Sequence, residues 1–276
     1  MPEGDTVWLA AHTMHEALSG EELLDMDVRV PRWATLDLSG HRILEVVPRG
    51  KHMLIRIDSG HTIHTHFLMD GSWHLYRPGA RWNGGPTHEV RMILRTEPWE
   101  AVGYRLHLIE VVPTAQEERV VGHLGPDLLG PWQEPDLQES IRRLARDPTR
   151  PIGAALLDQR NVAGLGLIYV TETLFVSRIT PWLSVGEVPD LAAVLQTGHR
   201  LMDRNKGHWS QATTGEIARG REHYVYLRAG RPCRRCGTRI RYGRQDAQPH
   251  ERDAYWCPTC QIGPGPTQGS PAAGRQ

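Results

Sequence analysis

Cys233-Arg234-Arg235-Cys236 and Cys257-Pro258-Thr259-Cys260 form two Cys-x2-Cys pairs separated by 20 residues in a chain of 276 residues. They hold all 4 cysteines of the chain, which argues against a dispersed disulfide framework and for one local site. Two hairpin knuckles of this kind bring four thiolates within tetrahedral reach of one Zn²⁺, and such a closed site is structural. A redox pair or two disulfides is the weaker alternative, because a cytosolic chain keeps its thiols reduced.

The segment around the cysteines is rich in arginine. Between 228 and 252, acidic residues are limited to Asp246 and Glu251, against these arginines: Arg228, Arg231, Arg234, Arg235, Arg239, Arg241, Arg244 and Arg252. A basic zinc hairpin suits phosphate binding. The alternative, which charge alone supports equally, is that these arginines form an ordinary solvated face and are numerous because of codon bias. The whole chain has a net charge of +0, so a nucleic-acid role rests on this local surface.

The middle third of the chain reads as helical. A helix is predicted from about 135 to the prolines at 148 and 151, and a second segment at 152–159 precedes a short turn at 161–166. An apolar helix then runs to about 176, and another helix spans 189–203. Residues 114–134 read as a connector, 205–224 as loop, and 263–276 as a disordered tail by composition.

The first third combines one helix with short alternating segments. Residues 5–19 have helical spacing of apolar residues, with Asp5 suited to the N-cap. Strands are predicted at 26–30, 42–47, 52–57, 61–67, 72–76, 90–95 and 104–112, which indicates an antiparallel sandwich or barrel. His64 and His66 share one strand face near His61, but a metal site is not favoured because no spaced carboxylate or cysteine accompanies them.

Pro2 becomes the chain terminus once Met1 is removed. Its secondary amine is then a nucleophile for covalent catalysis of the Schiff-base type, with Glu3 beside it for proton transfer. We expect the positive end of the following helix to lower the pKa of this amine, which favours the nucleophile. Taken alone, the motif favours the plainer interpretation that Pro2 is simply a tolerated second residue.

Four separated features agree on one family. They are Met1-Pro2-Glu3-Gly4, the lysine of Arg49-Gly50-Lys51-His52, the helix-turn-helix at 152–176 and the basic four-cysteine hairpin. From Pro2 to about Gln261 the chain resembles the formamidopyrimidine-DNA glycosylase/endonuclease VIII family, on the endonuclease VIII-like branch. The resemblance implies an α+β multidomain fold: an N-terminal helix plus antiparallel β-sandwich (1–118), a helical helix–two-turn–helix domain (119–225), a C-terminal zinc-finger β-hairpin (226–262) and a tail (263–276).

The resemblance also implies roles for single residues. Pro2 matches the nucleophile that attacks C1′ of the damaged nucleotide, and Glu3 matches the general acid/base. Lys51 matches the lysine that assists base loss and β-elimination. Arg252 matches the finger arginine associated with the flanking phosphate and δ-elimination. Met69 matches the wedge that fills the gap left by the flipped lesion, with a buried strand methionine as the alternative.

One departure from the family pattern lies in the helical domain. The family turn usually reads Gly-x-Gly-Asn-Ile-Tyr with the asparagine on DNA phosphate, whereas here Leu167 follows Gly164 and Gly166. The turn can still present backbone N–H groups to phosphate, and the lost side-chain contact is expected to cost about 1–3 kcal/mol. Leu227 stands where the family often has glycine, before Arg228, to which the resemblance assigns DNA binding.

The resemblance predicts a bifunctional DNA glycosylase/AP lyase of base-excision repair that removes oxidised bases, chiefly pyrimidines, and cleaves the strand by β,δ-elimination. The prediction includes one structural Zn²⁺ and damaged DNA as the partner. It also includes a monomer without an obligate protein partner or membrane contact, in the cytoplasm of a bacterium and associated with the nucleoid. The first alternative is a non-catalytic or AP-lyase-only damaged-DNA-binding protein on the same scaffold. A zinc-ribbon interaction module without a DNA role is the second.

Overall fold

The computed structural model describes residues 2–247 and 250–266, and the chain divides into two compact units, residues 1–123 and 124–276. Residues 267–276 of the predicted tail lie outside the described residues, as does Met1. The predicted boundaries of the helical domain and the zinc finger stay predictions. None of the described helices is long and apolar enough to cross a membrane.

The first unit begins with helix α1 (Gly4–Leu18). Its apolar residues recur at helical spacing, and Val7, Ala11, Met14 and Leu18 are all buried, as the sequence predicts. The predicted N-cap at Asp5 is wrong, because the helix begins one residue earlier and Asp5 is buried inside its first turn. An acidic side chain in this turn still faces the positive end of the helix dipole.

Within residues 2–123, eight strands form two four-stranded antiparallel sheets. The strands are β1 (Asp25–Val28), β2 (Ile43–Arg49), β3 (His52–Ile57), β4 (His61–His66), β5 (Ser72–Tyr76), β6 (Val90–Arg95), β7 (Glu100–Tyr104) and β8 (Leu108–Pro113). One sheet has the order β1-β6-β7-β5 and the other β2-β3-β4-β8. A single apolar cluster contains α1 and residues of both sheets, so the predicted sandwich is confirmed. The short helix α2 (Glu118–Val121) follows.

The predicted strand at 104–112 begins too early and β7 was missed, because Tyr104 ends β7 and β8 begins only at Leu108. β7 pairs with β5 and β6, whereas β8 pairs with β4 in the other sheet. The chain therefore changes sheets at 105–107, where Arg105 has a φ of 48°. β7 contains Ala101 and Gly103, which are poor strand formers, so its pattern was too weak to separate it from β8.

The second unit contains helices α3 (Glu134–Leu144), α4 (Ile152–Leu157), α5 (Leu167–Val176) and α6 (Leu191–Asp203), then the hairpin β9 (Arg241–Ala247) and β10 (His250–Trp256). Local caps fix the helix starts: Gln133 and Asp136 form a capping box on α3, and Asp190 accepts a hydrogen bond from the backbone N–H of Ala193 on α6. α4 and α5 share an apolar cluster with α3 and α6, as the helix-turn-helix prediction requires.

Candidate active site

Pro2 and Glu3 lie directly before α1. Pro2 is half-buried, and Glu3 is the N-cap residue with extended backbone and an exposed fraction of 0%. The Glu3 carbonyl accepts the N–H of Val7 at 3.1 Å, which anchors the terminus to the first helical turn. α1 packs on β2, β3 and β5, so the elements next to Pro2, Lys51 and Met69 contact one another within this unit.

Lys51 occupies a tight hairpin loop. Arg49 pairs with His52, which leaves Gly50 and Lys51 as the two loop residues between β2 and β3. Gly50 has a φ of 59°, the left-handed conformation that glycine adopts at the first position of such loops. Lys51 therefore belongs to the loop and not to the strand that follows it.

Histidines cluster beside this loop. His52 Nδ1 and His64 Nε2 are 2.7 Å apart in a hydrogen bond, and the His66 ring lies edge-on to His52 at 4.5 Å between centroids. His64 Nδ1 is 3.7 Å from a carboxylate oxygen of Glu110, and the His123 ring approaches His52 at 5.9 Å.

Burial sets the protonation of these rings. Burial, then the nearby His66, lowers the pKa of His52 to about 2. Burial, followed by the charge of Lys51, lowers the pKa of His66 to about 4. Burial also lowers the pKa of His64, although Glu110 opposes the shift. The rings of His52, His64 and His66 beside the Lys51 loop are therefore neutral at neutral pH.

Met69 lies in the turn between β4 and β5. Its exposed fraction is 57%, so the alternative of a buried strand methionine is wrong. The preceding residue, Leu68, has a φ of 51° and is also exposed. An exposed apolar pair on a tight turn is available for contact with a partner.

Gln159 makes three hydrogen bonds in the turn between α4 and α5. Gln159 Nε2 donates to the carbonyls of Leu157 and Leu165 at 3.1 and 2.8 Å, and Gln159 Oε1 accepts the N–H of Gly164 at 3.0 Å. Gly164 has a φ of 104°, which requires glycine. Gly166 caps α5, and Leu167, its first residue, is only 8% exposed and packs into the unit.

Glu172 is a functional candidate that sequence reasoning missed. It is fully buried in α5 and accepts four hydrogen bonds, from the Thr213 hydroxyl and from the backbone N–H groups of Tyr224, Val225 and Tyr226, at 2.5 to 2.9 Å. It is the one charged residue in the apolar segment 167–176, which was the available signal.

Arg228 follows the segment that Glu172 holds. Its guanidinium donates to the carbonyls of Tyr224 and Pro232, and it lines a cleft of about 450 Å³ with Trp209 and Tyr226. Leu227 has a φ of 54°, so the position where the family often has glycine is strained here by a side chain. Such strain costs on the order of 1–3 kcal/mol.

The four cysteines form a compact cluster beside the β9–β10 hairpin. All four Sγ atoms lie within 4.8 Å of one another, with Cys236 to Cys257 at 3.4 Å and Cys233 to Cys260 at 3.9 Å. A tetrahedral zinc with Zn–S bonds of about 2.3 Å needs sulfurs about 3.8 Å apart. The cluster therefore fits a metal ion of that size, and the prediction that the four cysteines form one local group is confirmed.

Most arginines of the 228–252 segment have local partners. Arg234, Arg235 and Arg239 donate to backbone carbonyls, and Arg244 pairs with Glu251. The side chains of Arg231, Arg241 and Arg252 are exposed and make no hydrogen bond or ion pair with any residue that the structure describes. Arg252 lies on β10 opposite Gln245. Phosphate binding by this segment stays a prediction, and the exposed arginines are its candidates.

Family comparisons match both units. The N-terminal domain of formamidopyrimidine-DNA glycosylase matches residues 1–108, and the H2TH (helix–two-turn–helix) domain of the same enzyme matches residues 124–193. The chain is 52% identical over 271 residues to probable endonuclease 8 2 of Streptomyces coelicolor, covering 98% of this chain and 97% of that protein. It is 43% identical to a DNA-(apurinic or apyrimidinic site) lyase of Mycolicibacterium smegmatis, covering 95% and 99%.

Solved structures show the same fold. A Lactococcus lactis formamidopyrimidine-DNA glycosylase in complex with DNA containing an abasic site matches with a TM-score of 0.79 at 20% identity, covering 95% of this chain and 100% of that one. The same enzyme with DNA containing an oxidised pyrimidine matches with a TM-score of 0.79 at 22% identity, with the same coverage.

Proposed function

Because the chain belongs to the formamidopyrimidine-DNA glycosylase/endonuclease VIII family, we propose that it removes oxidised pyrimidines from DNA by covalent catalysis at Pro2. Its reaction class is that of a DNA glycosylase and abasic-site lyase of base-excision repair. The names of the relatives favour the endonuclease VIII branch, and the pyrimidine preference follows from that branch.

The first chemical step assigned to Pro2 is displacement of the base. The Pro2 nitrogen bonds to C1′ of the flipped nucleotide as the glycosidic bond breaks, and the base leaves with its electron pair and takes up a proton. The Pro2 nitrogen then loses its own proton. The C1′–O4′ bond opens with protonation of O4′, which leaves an iminium between Pro2 and C1′. What supports this role is the position of Pro2, half-buried immediately before α1.

Glu3 and Lys51 are proposed to manage protons and charge around that step. The Glu3 carboxyl is assigned to protonation of O4′ and to removal of a C2′ proton, after which the C3′–O bond breaks in β-elimination. In δ-elimination a C4′ proton is then removed and the C5′–O bond breaks, so that the phosphate on the 5′ side of the sugar leaves. Lys51 and Arg252 are assigned to phosphate contacts, because an ammonium and an exposed guanidinium stabilise phosphate charge.

The four cysteines are proposed to hold one structural Zn²⁺ that supports the β9–β10 hairpin. Four thiolates in this array leave no open coordination position, so zinc is assigned no chemical step. Damaged DNA as partner, a monomeric state and a cytoplasmic, nucleoid-associated location in a bacterium belong to the same proposal. The assignments of Gly164, Gly166, Leu167 and Arg228 to DNA binding do so as well.

The test is borohydride trapping on a duplex that contains thymine glycol or an abasic site. We expect the chain with a free Pro2 terminus, verified by intact mass, to form a covalent adduct. A form with a retained N-terminal extension should lose the adduct and keep DNA binding. Pro2→Gly still offers a primary α-amine, so it should form less adduct and keep DNA binding. A correctly processed chain that forms no adduct on either duplex would refute the proposal.

Leu167 in place of the family asparagine favours a second candidate, a damaged-DNA-binding protein without chemistry. This candidate predicts that DNA affinity is unchanged in Pro2→Gly and that no adduct forms with any form of the chain. The trapping measurement therefore separates the two functions, since both predict that DNA binding is kept.

A further inference from the structure

Two turns of the first unit contain strained residues that are not glycine. Leu68, in the turn 67–71 between β4 and β5, has a φ of 51°, and Arg105, in the turn 105–107 between β7 and β8, has a φ of 48°. Residues with a Cβ are disfavoured in this left-handed region. Such strain persists only where the surrounding contacts hold it in place, and it concentrates at functional sites.

Asp70 joins the two turns. One oxygen of its carboxylate accepts a hydrogen bond from His107 Nε2 at 2.8 Å, and the other lies 3.5 Å from Arg105 Nε. The backbone carbonyl of Asp70 accepts a further bond from Arg105 Nε at 3.0 Å. Glu89 holds Arg105 in two ways. Its carboxylate forms an ion pair with the Arg105 guanidinium, and its carbonyl accepts the backbone N–H of Arg105 at 2.9 Å.

The backbones of the two turns are also in close contact. A Cβ on Gly71 would lie 3.0 Å from the Arg105 carbonyl oxygen and 2.7 Å from that of Phe67, so glycine is needed at this position. The N–H of Gly71 donates to the Phe67 carbonyl at 2.8 Å, and the N–H of Leu68 donates to His66 Nδ1 at 2.9 Å. The turn is thus fixed at its start and its end, with Met69 exposed between them.

We propose that Asp70 is a positioning residue that braces the Met69 turn against the 105–107 turn, so that Met69 is rigid before it meets DNA. The inference rests on the proposed function and on the prediction from sequence that Met69 fills the gap left by an extruded nucleotide. A plug must replace the stacking that flipping removes, and a side chain already held in place loses less conformational entropy on insertion. A brace of this kind matters only where there is a base stack to enter.

The experiment compares one lyase substrate in two forms, an abasic site in duplex DNA and the same site in a single-stranded oligonucleotide. We expect Asp70→Ala to slow single-turnover adduct formation about 10- to 100-fold on the duplex and to leave the single strand unchanged, because misplacement by about 1 Å can cost that much. Met69→Ala should show the same duplex-specific loss. The double variant should be no slower than Met69→Ala, since both changes remove one interaction.

Asp58→Ala is the matched control. Asp58 pairs with His41 at 2.9 Å on the turn between β3 and β4, which is the same kind of exposed Asp–His pair in the same unit. This variant should react at the wild-type rate on both substrates. A second readout without chemistry is the fluorescence of 2-aminopurine placed opposite the abasic site, which should rise less with Asp70→Ala than with Asp58→Ala.

Three outcomes overturn the inference. In the first, Asp70→Ala reacts with the duplex at the wild-type rate while Met69→Ala is slower. In the second, Asp70→Ala slows adduct formation equally on both substrates, which indicates general damage to the fold. If Met69→Ala has no duplex-specific defect, there is no wedge for Asp70 to position. In all three cases the proposed function stands if the wild-type protein forms an adduct with the single-stranded substrate. If the wild-type protein forms no adduct with either substrate, the result counts against the proposed function itself.

Discussion

The histidines beside Lys51 are buried where a charge is costly. His52 and His64 share a hydrogen bond of 2.7 Å, and His66 packs on the same ring. Because these rings are neutral, they add no positive charge beside the Lys51 ammonium, which is proposed to contact phosphate. The individual residues of this group were visible in the sequence, but their contact depends on the register of β3 and β4, which sets His52 opposite His66.

These rings predict a stability loss in acid. Burial lowers the pKa of His52 and His66 in the folded chain, so below about pH 6.5 the unfolded state binds more protons and the free energy of unfolding falls. The loss accumulates from about pH 6.5 down to the folded pKa of His66 of about 4 and continues toward that of His52; above about pH 6.5 these groups contribute no pH dependence. Thermal unfolding across this range is the measurement.

A variant isolates the cause of that slope. His52→Phe should make the fall in melting temperature between pH 6.5 and 4 shallower than in the wild type, because one buried titrating ring is gone. The exposed His88, replaced by Phe, serves as the control and should leave the slope as it is. A wild-type slope in His52→Phe would contradict the assignment to this ring.

Among the elements, α5 connects the helical turn to the segment before the cysteine cluster. Glu172 on this helix binds backbone groups of residues 224–226 and the Thr213 hydroxyl. A buried carboxylate that accepts four bonds replaces the secondary structure that the long loop lacks. No helix or strand occurs between Asp203 and Arg241, all of which is described, and the predicted loop at 205–224 is confirmed within it.

Glu172→Gln should therefore destabilise the second unit. The new amide NH₂ would face N–H donors in place of an acceptor oxygen, and each donor left unsatisfied in a buried position costs about 1–3 kcal/mol. We expect the free energy of unfolding to fall by about that amount in denaturant titration. Thr213→Val, which removes a single donor and leaves the backbone bonds, should cost less. Equal stability of Glu172→Gln and the wild type would show that the four contacts contribute nothing.

At the scale of the whole molecule, the chain has no net charge to attract DNA. Five of the eight arginines between 228 and 252 bind neighbouring carbonyls or Glu251, and the exposed Arg231, Arg241 and Arg252 remain as candidates for phosphate. The affinity should depend on a few such contacts and on salt, because each neutralised phosphate releases counterions.

Arg252→Gln provides the measurement. Loss of one phosphate contact should reduce the slope of log affinity against log salt concentration by about 0.9. Arg142→Gln, which removes an exposed arginine paired with Glu139 on α3, should leave the slope unchanged. The two slopes are obtained from binding titrations on one lesion duplex at several salt concentrations. An unaltered slope for Arg252→Gln would remove Arg252 from the DNA-contacting residues.

Much of this protein could be read from local patterns. The spacing of the four cysteines, the periodicity of α1 and of α4 to α6, and the short alternating strands each depend on residues near one another in the chain. Local chemistry is enough for these, because a knuckle, an amphipathic helix and a tight hairpin are specified within about ten residues. The roles of Pro2, Glu3, Lys51 and Arg252 stay predictions.

Contacts between distant segments were decided only by the tertiary structure. No local pattern relates the residues that these contacts join. The contacts are the change of sheet at 105–107, the hydrogen bonds from Asp70 to that turn, the bonds of Glu172 to residues 213 and 224–226, and the pairing of His52 with His64. Strand register and packing select such pairs from many that the same sequence allows, because the preference of each segment alone is weak and the assembled core makes the choice.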